Sequence, residues 1–349
     1  MKTTHLIRSA ILCSIACAVA CSASAQVFES VGTRALGMGG AFVAVADDAT
    51  GVYWNPAGLA KGPVADGTIQ RSVLQTPFDR LQPADGVAGW RDTTTFAGFT
   101  ILQALGVSYL RSRLVQSTPT DQPPDGRQQD SPGVVSTRLL ATDSLGVTLL
   151  QSLLGNLIVG TTLKATHGSF VSSTAAGGTI GGALEQAGTL TAKAKTHFDL
   201  DVGVLGVAGA FHFGIVGRNL RRPDFGPEGS GAESRLQRQV RAGVAFAPAG
   251  GTGGAGTQSL TVAVDADLTR TILAGTEQRH VAAGVEQWLA GRRIGLRGGV
   301  RANTIGAAHP VGTVGASVAL HSGLFVEGQF ARGAADSDKG WSVGGRFTF

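Results

Sequence analysis

The sequence predicts a transmembrane β-barrel of about fourteen antiparallel strands, with an N-terminal segment plugging its lumen. Three observations carry that prediction. From Pro63 to the C-terminus, apolar and polar residues alternate with period two. The links between alternating stretches are long and short by turns, as in a meander with short turns at one end and long loops at the other. No stretch after residue 25 offers the ~20 apolar residues of a membrane helix. A secreted sandwich or solenoid would also alternate, but regularly alternating loop lengths suit a meander better than Greek-key crossings.

Composition narrows the field. Glycine supplies 52 of 349 residues, and only 15% of residues are charged. The 43% apolar content excludes a disordered chain. Aromatic girdles are expected of such a barrel, and 15 phenylalanines and 4 tryptophans must supply them, since there are only 2 tyrosines.

Residues 1–25 read as a secretory signal peptide. Lys2, His5 and Arg8 form a basic start, Ala10 to Ala20 is apolar, and Ala23-Ser24-Ala25 is a small-residue cleavage site. The mature chain then starts at Gln26. It has 27 basic and 24 acidic residues, too weak an excess to argue for nucleic acid. Cys13, Cys17 and Cys21 all lie in the signal, so export leaves neither disulfides nor thiol chemistry. The rival reading is a lipidated Cys21, but Ala18 stands where a lipoprotein box usually has leucine.

Residues 26–62 do not alternate. Gly37, Gly39 and Gly40 permit tight turns. Asp47 and Asp48 can cap a short helix. Pro56 ends any helix and holds Asn55 extended. A fourteen-stranded barrel is too wide for its own wall side chains to fill, and this compact segment is the natural plug. Asn55, with an amide donor and an acceptor, is expected to tie the plug to itself or to the wall.

Residues 63–349 supply the barrel. Strands are expected at 64–75, 93–102, 105–115, 135–152, 155–167, 195–208, 211–220, 236–247, 258–269, 279–289, 292–302, 311–320, 323–332 and 340–349. Tight links fall near 103–104, 153–154, 209–210, 290–291 and 321–322. Longer ones fall at 76–92, 116–134, 168–194, 221–235, 270–278, 303–310 and 333–339. The glycine-rich stretch 248–257 is a long link where a short one is due. It contains Gly251-Thr-Gly-Gly-Ala-Gly256, but an alternating strand follows it rather than a helix, so it is a turn and not a dinucleotide loop. No G-x-S-x-G, H-E-x-x-H or C-x-x-C is present, and the histidines lack ligand spacing. The sequence argues for no enzyme, no cofactor and no metal.

Parity places Arg293, Arg297 and Arg301 on the lumen face of one strand, each about 13 Å from the next. Asp265, Asp267 and Glu286 point inward from the two preceding strands. The plain reading is a cross-strand ion-pair brace. The functional one is an arginine stripe for an anionic head group, with Arg301 near the outer end the arginine left free.

The segment Gly-Thr-Arg-Ala-Leu-Gly-Met-Gly-Gly-Ala-Phe42, with Asp47-Asp48-Ala and Asn55-Pro56-Ala57-Gly58, resembles the N-terminal hatch of the FadL/TodX family, closest to its PorV-like branch. Weaker likenesses run through Asp201-Val-Gly, Arg218-Asn219-Leu220 with Pro223 and Phe225, and Arg297-Gly-Gly-Val-Arg301. The ending Ser342-Val-Gly-Gly-Arg-Phe-Thr-Phe349 resembles the signal by which barrels engage their assembly machinery. The resemblance implies an outer-membrane barrel in a Gram-negative bacterium. Gly39, Gly40, Asp47, Asp48, Asn55, Pro56 and Ala57 would belong to the gate. The implied partners are membrane lipid and a small hydrophobic ligand taken up passively. In the PorV-like branch they are instead secreted proteins.

Overall fold

The computed structural model describes residues 27–76, 89–120, 134–154, 156–176, 192–227, 234–248, 259–334 and 338–349. The signal segment with its three cysteines and Gln26, and the glycine-rich link from residue 249 to 258, lie outside the described residues.

The strands in chain order are β1 (Ala65–Gln75), β2 (Gly89–Ile101), β3 (Leu105–Thr120), β4 (Val134–Leu154), β5 (Leu157–Ala176), β6 (Lys195–Ala208), β7 (Phe211–Arg218) and β8 (Gln239–Phe246). Then follow β9 (Ser259–Asp267), β10 (Thr271–Leu273), β11 (Thr276–Gln278), β12 (His280–Leu289), β13 (Ile294–Asn303), β14 (Val311–His321), β15 (Leu324–Gly333) and β16 (Lys339–Thr348). All but β10 and β11 form one closed barrel of fourteen strands. Closure is made by β1, whose Ile69 stands opposite Ala97 of β2 and Gly345 of β16. Every pairing is antiparallel between neighbours in the chain, apart from the β1–β16 closure and β9 with β12, between which the small β10–β11 hairpin is inserted.

Closure is what allows strands, rather than helices, to cross a bilayer. No described helix is long and apolar enough to cross a membrane. A closed ladder instead satisfies each strand's amides without water. Period-two alternation then sorts side chains by face. Val285, Leu296, Val314, Phe330 and Val343 are exposed on the outer wall, whereas Glu286, Arg297, Thr313, Glu327 and Ser342 are buried inside.

Three features differ from the sequence reading. β3 and β5 run to Thr120 and Ala176, so 116–120 and 168–176 are strand rather than loop, while β4 keeps its expected span to within two residues. Their Ser, Thr and Ala residues blur the apolar alternation. β10 and β11, three residues each, are too short for any periodicity to register. Arg293 lies in the turn before β13, not in the strand. There Ala290, Gly291 and Arg292 all take positive φ, so the ladder starts at Ile294 and Arg293 is exposed.

The C-terminus is pinned at the short-turn end. Phe349 N–H donates to the Ala65 carbonyl at 2.8 Å, and Thr348 N–H to Gly323 at 2.7 Å. Gly323 has φ +77, and a Cβ there would strike the Thr348 carbonyl, so only glycine fits this turn.

Residues 27–62 fill the lumen. They contain α1 (Thr33–Gly37), α2 (Gly51–Trp54) and a 3-10 turn (Pro56–Lys61). Phe28, Phe42, Tyr53 and Trp54 form its centre with ring centroids 5.2–6.0 Å apart. Together with Val31, Met38 and Val45, and with Phe96, Val216, Ala245, Ala263 and Ala282 of the wall, they make one core inside the barrel.

Candidate functional site

The candidate site is the boundary between the lumenal segment and the wall. It is built on buried charge. Arg34, on α1, reaches Glu286 of β12 with two nitrogens, at 2.7 and 2.6 Å. Its remaining nitrogen meets Asp47, and Asp48 at 3.2 Å. Glu286 also accepts from Arg297 Nε at 2.6 Å, across the β12–β13 register that sets the two side by side. Arg297 lies 3.8 Å from Glu327 of β15, which meets Arg346 of β16 at 3.2 Å. Arg346 lies 3.6 Å from Asp66 of β1, and Asp66 accepts from Ala49 N–H at 2.7 Å. Signs thus alternate from the lumenal segment across five wall strands and back to it. Burial opposes the Arg34 charge, yet Asp47 and Glu286 outweigh it and raise its pKa well above the ordinary arginine value.

A second cluster lies beside it. Arg241 of β8 joins Glu29 and donates to Asp267 at 2.6 Å and to the Gly40 carbonyl at 3.3 Å. His280 approaches Glu29 to 3.7 Å. Burial alone would raise the Glu29 pKa, but Arg241, His280 and Arg301 overcome it and hold the carboxyl down at about 2. The guanidinium of Arg241 also lies 4.0 Å from the Phe28 ring centre, and that of Arg218 3.5 Å from Tyr53. Cations capping aromatic faces stabilise the segment's core from outside.

Backbone bonds complete the seal. Asp265 accepts from the amides of Phe42 and Val43, both at 2.8 Å. Asn55 Nδ2 donates to Val43 of its own segment at 2.9 Å and to Val204 of β6 at 3.1 Å, while its Oδ1 accepts from Ala57 N–H. So Asn55 ties the segment both to itself and to the wall. Asn55 is extended, at φ −163, and Pro56 starts the 3-10 turn. Gly39 and Gly40 take positive φ in the turn after α1. Asp47 and Asp48 do not cap a helix. The N-cap of α2 is Thr50, and Asp48 instead accepts from the Thr50 amide at 2.9 Å, while both aspartates face Arg34.

Inward glycines form the seat. A Cβ on Gly160 or Gly203 would come closer than 3.0 Å to the Asn55–Ala57 stretch. On Gly284 or Gly299 it would do the same to Met38, and on Gly214 to Val43. The lumenal backbone therefore lies directly against the wall backbone, which is one use of the chain's glycine excess.

Two segments at the long-loop end fold over the mouth. The β10–β11 hairpin sets Leu273 and Ala274 against Val27, Leu74, Trp90 and Leu114. The Ala274 amide donates to Gln116 of β3 at 2.7 Å, so the hairpin crosses from the β9–β12 side. On the other side Phe225 and Leu236 pack on Leu140 and Phe170. Pockets along the lumenal boundary hold only about 10–20 Å³, room for a water molecule at most.

The predicted lumen residues therefore divide. Arg297 is a brace with Glu286. Arg301 is buried and lies 3.6 Å from Asp338, so it is not left free. Arg293 is outside the lumen, on the short turn. Asp265 and Asp267 serve the segment's amides and Arg241 rather than the Arg297 strand. Sequence reasoning missed Glu29, Arg34, Asp66, Arg241, Glu327 and Arg346. Inward parity could have found the four wall members. Among the described residues no group of three or more His, Cys, Asp or Glu could hold a metal ion.

Solved structures share this architecture. The Ralstonia pickettii toluene transporter TbuX aligns over 92% of this chain and 99% of its own, with TM-score 0.57 and 12% identity. A Pseudomonas aeruginosa FadL homologue aligns over 94% and 100%, with TM-score 0.54 and 12% identity. The Pseudomonas putida toluene transporter TodX aligns over 92% and 98%, with TM-score 0.52 and 11% identity. The chain has the fold of the FadL/TodX channels. Residues 104–267 also match the family described as F plasmid transfer operon, TraF, protein. No curated protein matches the chain.

Proposed function

We propose that this protein lies in the outer membrane of a Gram-negative bacterium and admits a small hydrophobic or amphiphilic compound by diffusion, with residues 26–62 as its gate. The observation that supports it most is a lumen filled by an aromatic-centred segment of the same chain that packs against the wall, on the fold of known hydrocarbon channels. Among the described residues, the three pockets along that boundary are water-sized, so passage requires that segment to move. The buried ion pairs, aromatic core and backbone seal bind and hold it, and no residue is assigned a catalytic role. Phe349, tied to Ala65 at the strand end, is available to the assembly machinery.

Asn55→Ala tests the gate. It removes the bonds to Val43, Val204 and Ala57 while leaving every strand pairing intact. In proteoliposomes it should raise leakage of a small hydrophobic solute several-fold with the barrel still folded. Unchanged permeability would refute gating by this segment. A second reading, a PorV-like partner for secreted proteins, is favoured by the lengths of β3–β5, 16–21 residues against 8 in β7 and β8. Recovery of one exported protein on the β3–β5 hairpins, with no solute flux in the wild type or in Asn55→Ala, would select it.

A further inference from the structure

The outer wall is apolar on most strands, but one sector is not. Six positions up from the short-turn end, β5, β6, β8, β12, β13 and β15 present Leu163, Val202, Val240, Ala283, Val300 and Phe330 outward. At the same step β1, β2 and β3 present Arg71, Thr95 and Arg111. Register makes these one row. Arg71 stands opposite Thr95, Thr95 opposite Arg111, and Arg111 opposite Asp143 of β4. Arg113 has the same outward parity two positions further up β3. Six positions are roughly 20 Å of strand. With the usual tilt that is about 15 Å up an apolar band roughly 25 Å tall, so the row lies near mid-height. Arg71, Arg111 and Arg113 are all exposed. Asp143 lies 3.7 Å from Arg111 and also accepts from the Tyr109 hydroxyl. Arg71 and Arg113 have no ion-pair partner among the described residues. A cation facing hydrocarbon at this depth is destabilising, so the row demands an anionic neighbour.

Below the row the wall is apolar and concave. Ile69, Ala97, Phe99, Val107 and Phe347 line a trough of about 610 Å³, one to four positions from the short-turn ends of their strands. It opens outward, where Ile69 is 63% exposed. Whatever covers this face must fill a trough in the short-turn half of the band and also bring anions to the middle of it. A bilayer lipid does not do both. Its head lies at one surface or the other, so a lipid whose chains fill the trough leaves the arginines in hydrocarbon. A second copy of this chain does not fit either. Among the described residues of the barrel strands, Asp143 is the one acid with outward parity, and it already serves Arg111 and Tyr109. Two such faces would set arginine against arginine. The occupant that meets both demands is a different protein sharing the bilayer, whose fixed side chains can hold carboxylates at mid-height. Guanidinium forks pair carboxylates with two parallel bonds, and exclusion of water strengthens the attraction.

We propose that the outer wall of β1–β3 is an interface with the membrane-spanning face of a second, different outer-membrane protein. Its apolar side chains enter the trough, and its Asp or Glu side chains pair Arg71 and Arg113. The proposal rests on the outer-membrane reading but not on transport, and its partner is embedded in the bilayer rather than exported through it. In the full chain, expressed in cells of the native organism, Thr95 at the centre of the row would be replaced by the photocrosslinker p-benzoylphenylalanine. The same replacement at Val202 is the lipid-facing control. Irradiation of intact cells should give one discrete protein adduct from position 95 and none from position 202. Mass spectrometry of the crosslinked peptide should place it in a membrane-spanning segment that carries an outward Asp or Glu. Adduct yield should fall at least about tenfold in the combined Arg71→Gln, Arg111→Gln, Arg113→Gln variant, and likewise when that partner carboxylate is changed to its amide. Ala97→Trp, which fills the trough without touching a charge, should also lower the yield. Heat-modifiable gel mobility would confirm that these variants keep the barrel. Adducts to lipid alone, to a second copy, or to a segment without an acid would overturn the proposal, as would undiminished yield in the triple variant. So would the absence of any adduct from protein that sediments with outer membranes. Protein missing from those membranes would instead overturn the outer-membrane reading, and the interface with it. Asn55→Ala should leave the adduct unchanged, so failure of the gate and failure of the interface are separable.

Discussion

At the scale of the residue, Arg34 decides how the lumenal segment is held. It faces three carboxylates: Glu286, Asp47 and Asp48. Removing one partner of a buried ion pair costs about 3–5 kcal/mol, because the other charge is left uncompensated. Arg34→Ala should thus weaken the segment's attachment by that order, and Arg34→Lys should recover little, since an ammonium cannot make the two-pronged contact with Glu286. Hydrogen exchange over residues 27–62 reads this directly. Exchange unaltered in Arg34→Ala would mean that the charge network does not hold the segment. The Glu286–Arg297 pair was legible in the sequence, because inward parity and a short hairpin put the two side by side. The Arg34–Glu286 pair was not, because its members are 252 positions apart and no local rule links them. The same holds for Arg241 and Glu29, which are 212 positions apart.

At the scale of the element, strands were legible wherever both faces differ and hidden where they do not. β12 to β16 alternate apolar and polar residues sharply, and their limits fall within about two residues of expectation. β3 and β5 run beyond theirs at the long-loop end because Ser, Thr and Ala suit either face. Inward glycines carried a signal of composition but not of place. Gly299 on β13 illustrates what they do. Its absent Cβ leaves space for Met38 and Gly39, and a methyl there would meet backbone rather than a side chain that could swing away. Overpacking of this kind costs about 1–3 kcal/mol. Gly299→Ala should loosen the segment by that amount and raise solute leakage, whereas Gly298→Ala, with outward parity and no close neighbour, should change neither. Equal leakage from the two variants would show that the seat is not what positions the segment.

At the scale of the whole molecule, two stabilities are superposed. Barrel strands in hydrocarbon cannot release their amides without losing every alternative partner. The lumenal segment has no such constraint, since lumen water can solvate its backbone once it leaves the wall. It should therefore open before the barrel does, as a sub-global unit. Acid offers a way to separate the two. Glu29 is held down at about 2 from an ordinary 4.5 by Arg241, His280 and Arg301, against the opposing effect of its burial. A depressed carboxyl stabilises the docked state fully above the undocked pKa, and that stabilisation is lost as pH falls toward the docked one. The window is therefore about pH 4.5 down to 2, and the stabilisation at stake is on the order of 3 kcal/mol for a shift of this size. Hydrogen exchange over residues 27–62, and leakage with it, should rise steeply across that window while the barrel keeps its heat-modifiable gel mobility. Glu29→Gln should show raised exchange already at pH 7 and a flatter response to acid. Barrel and segment opening together at one pH would show a single cooperative unit and refute the separation.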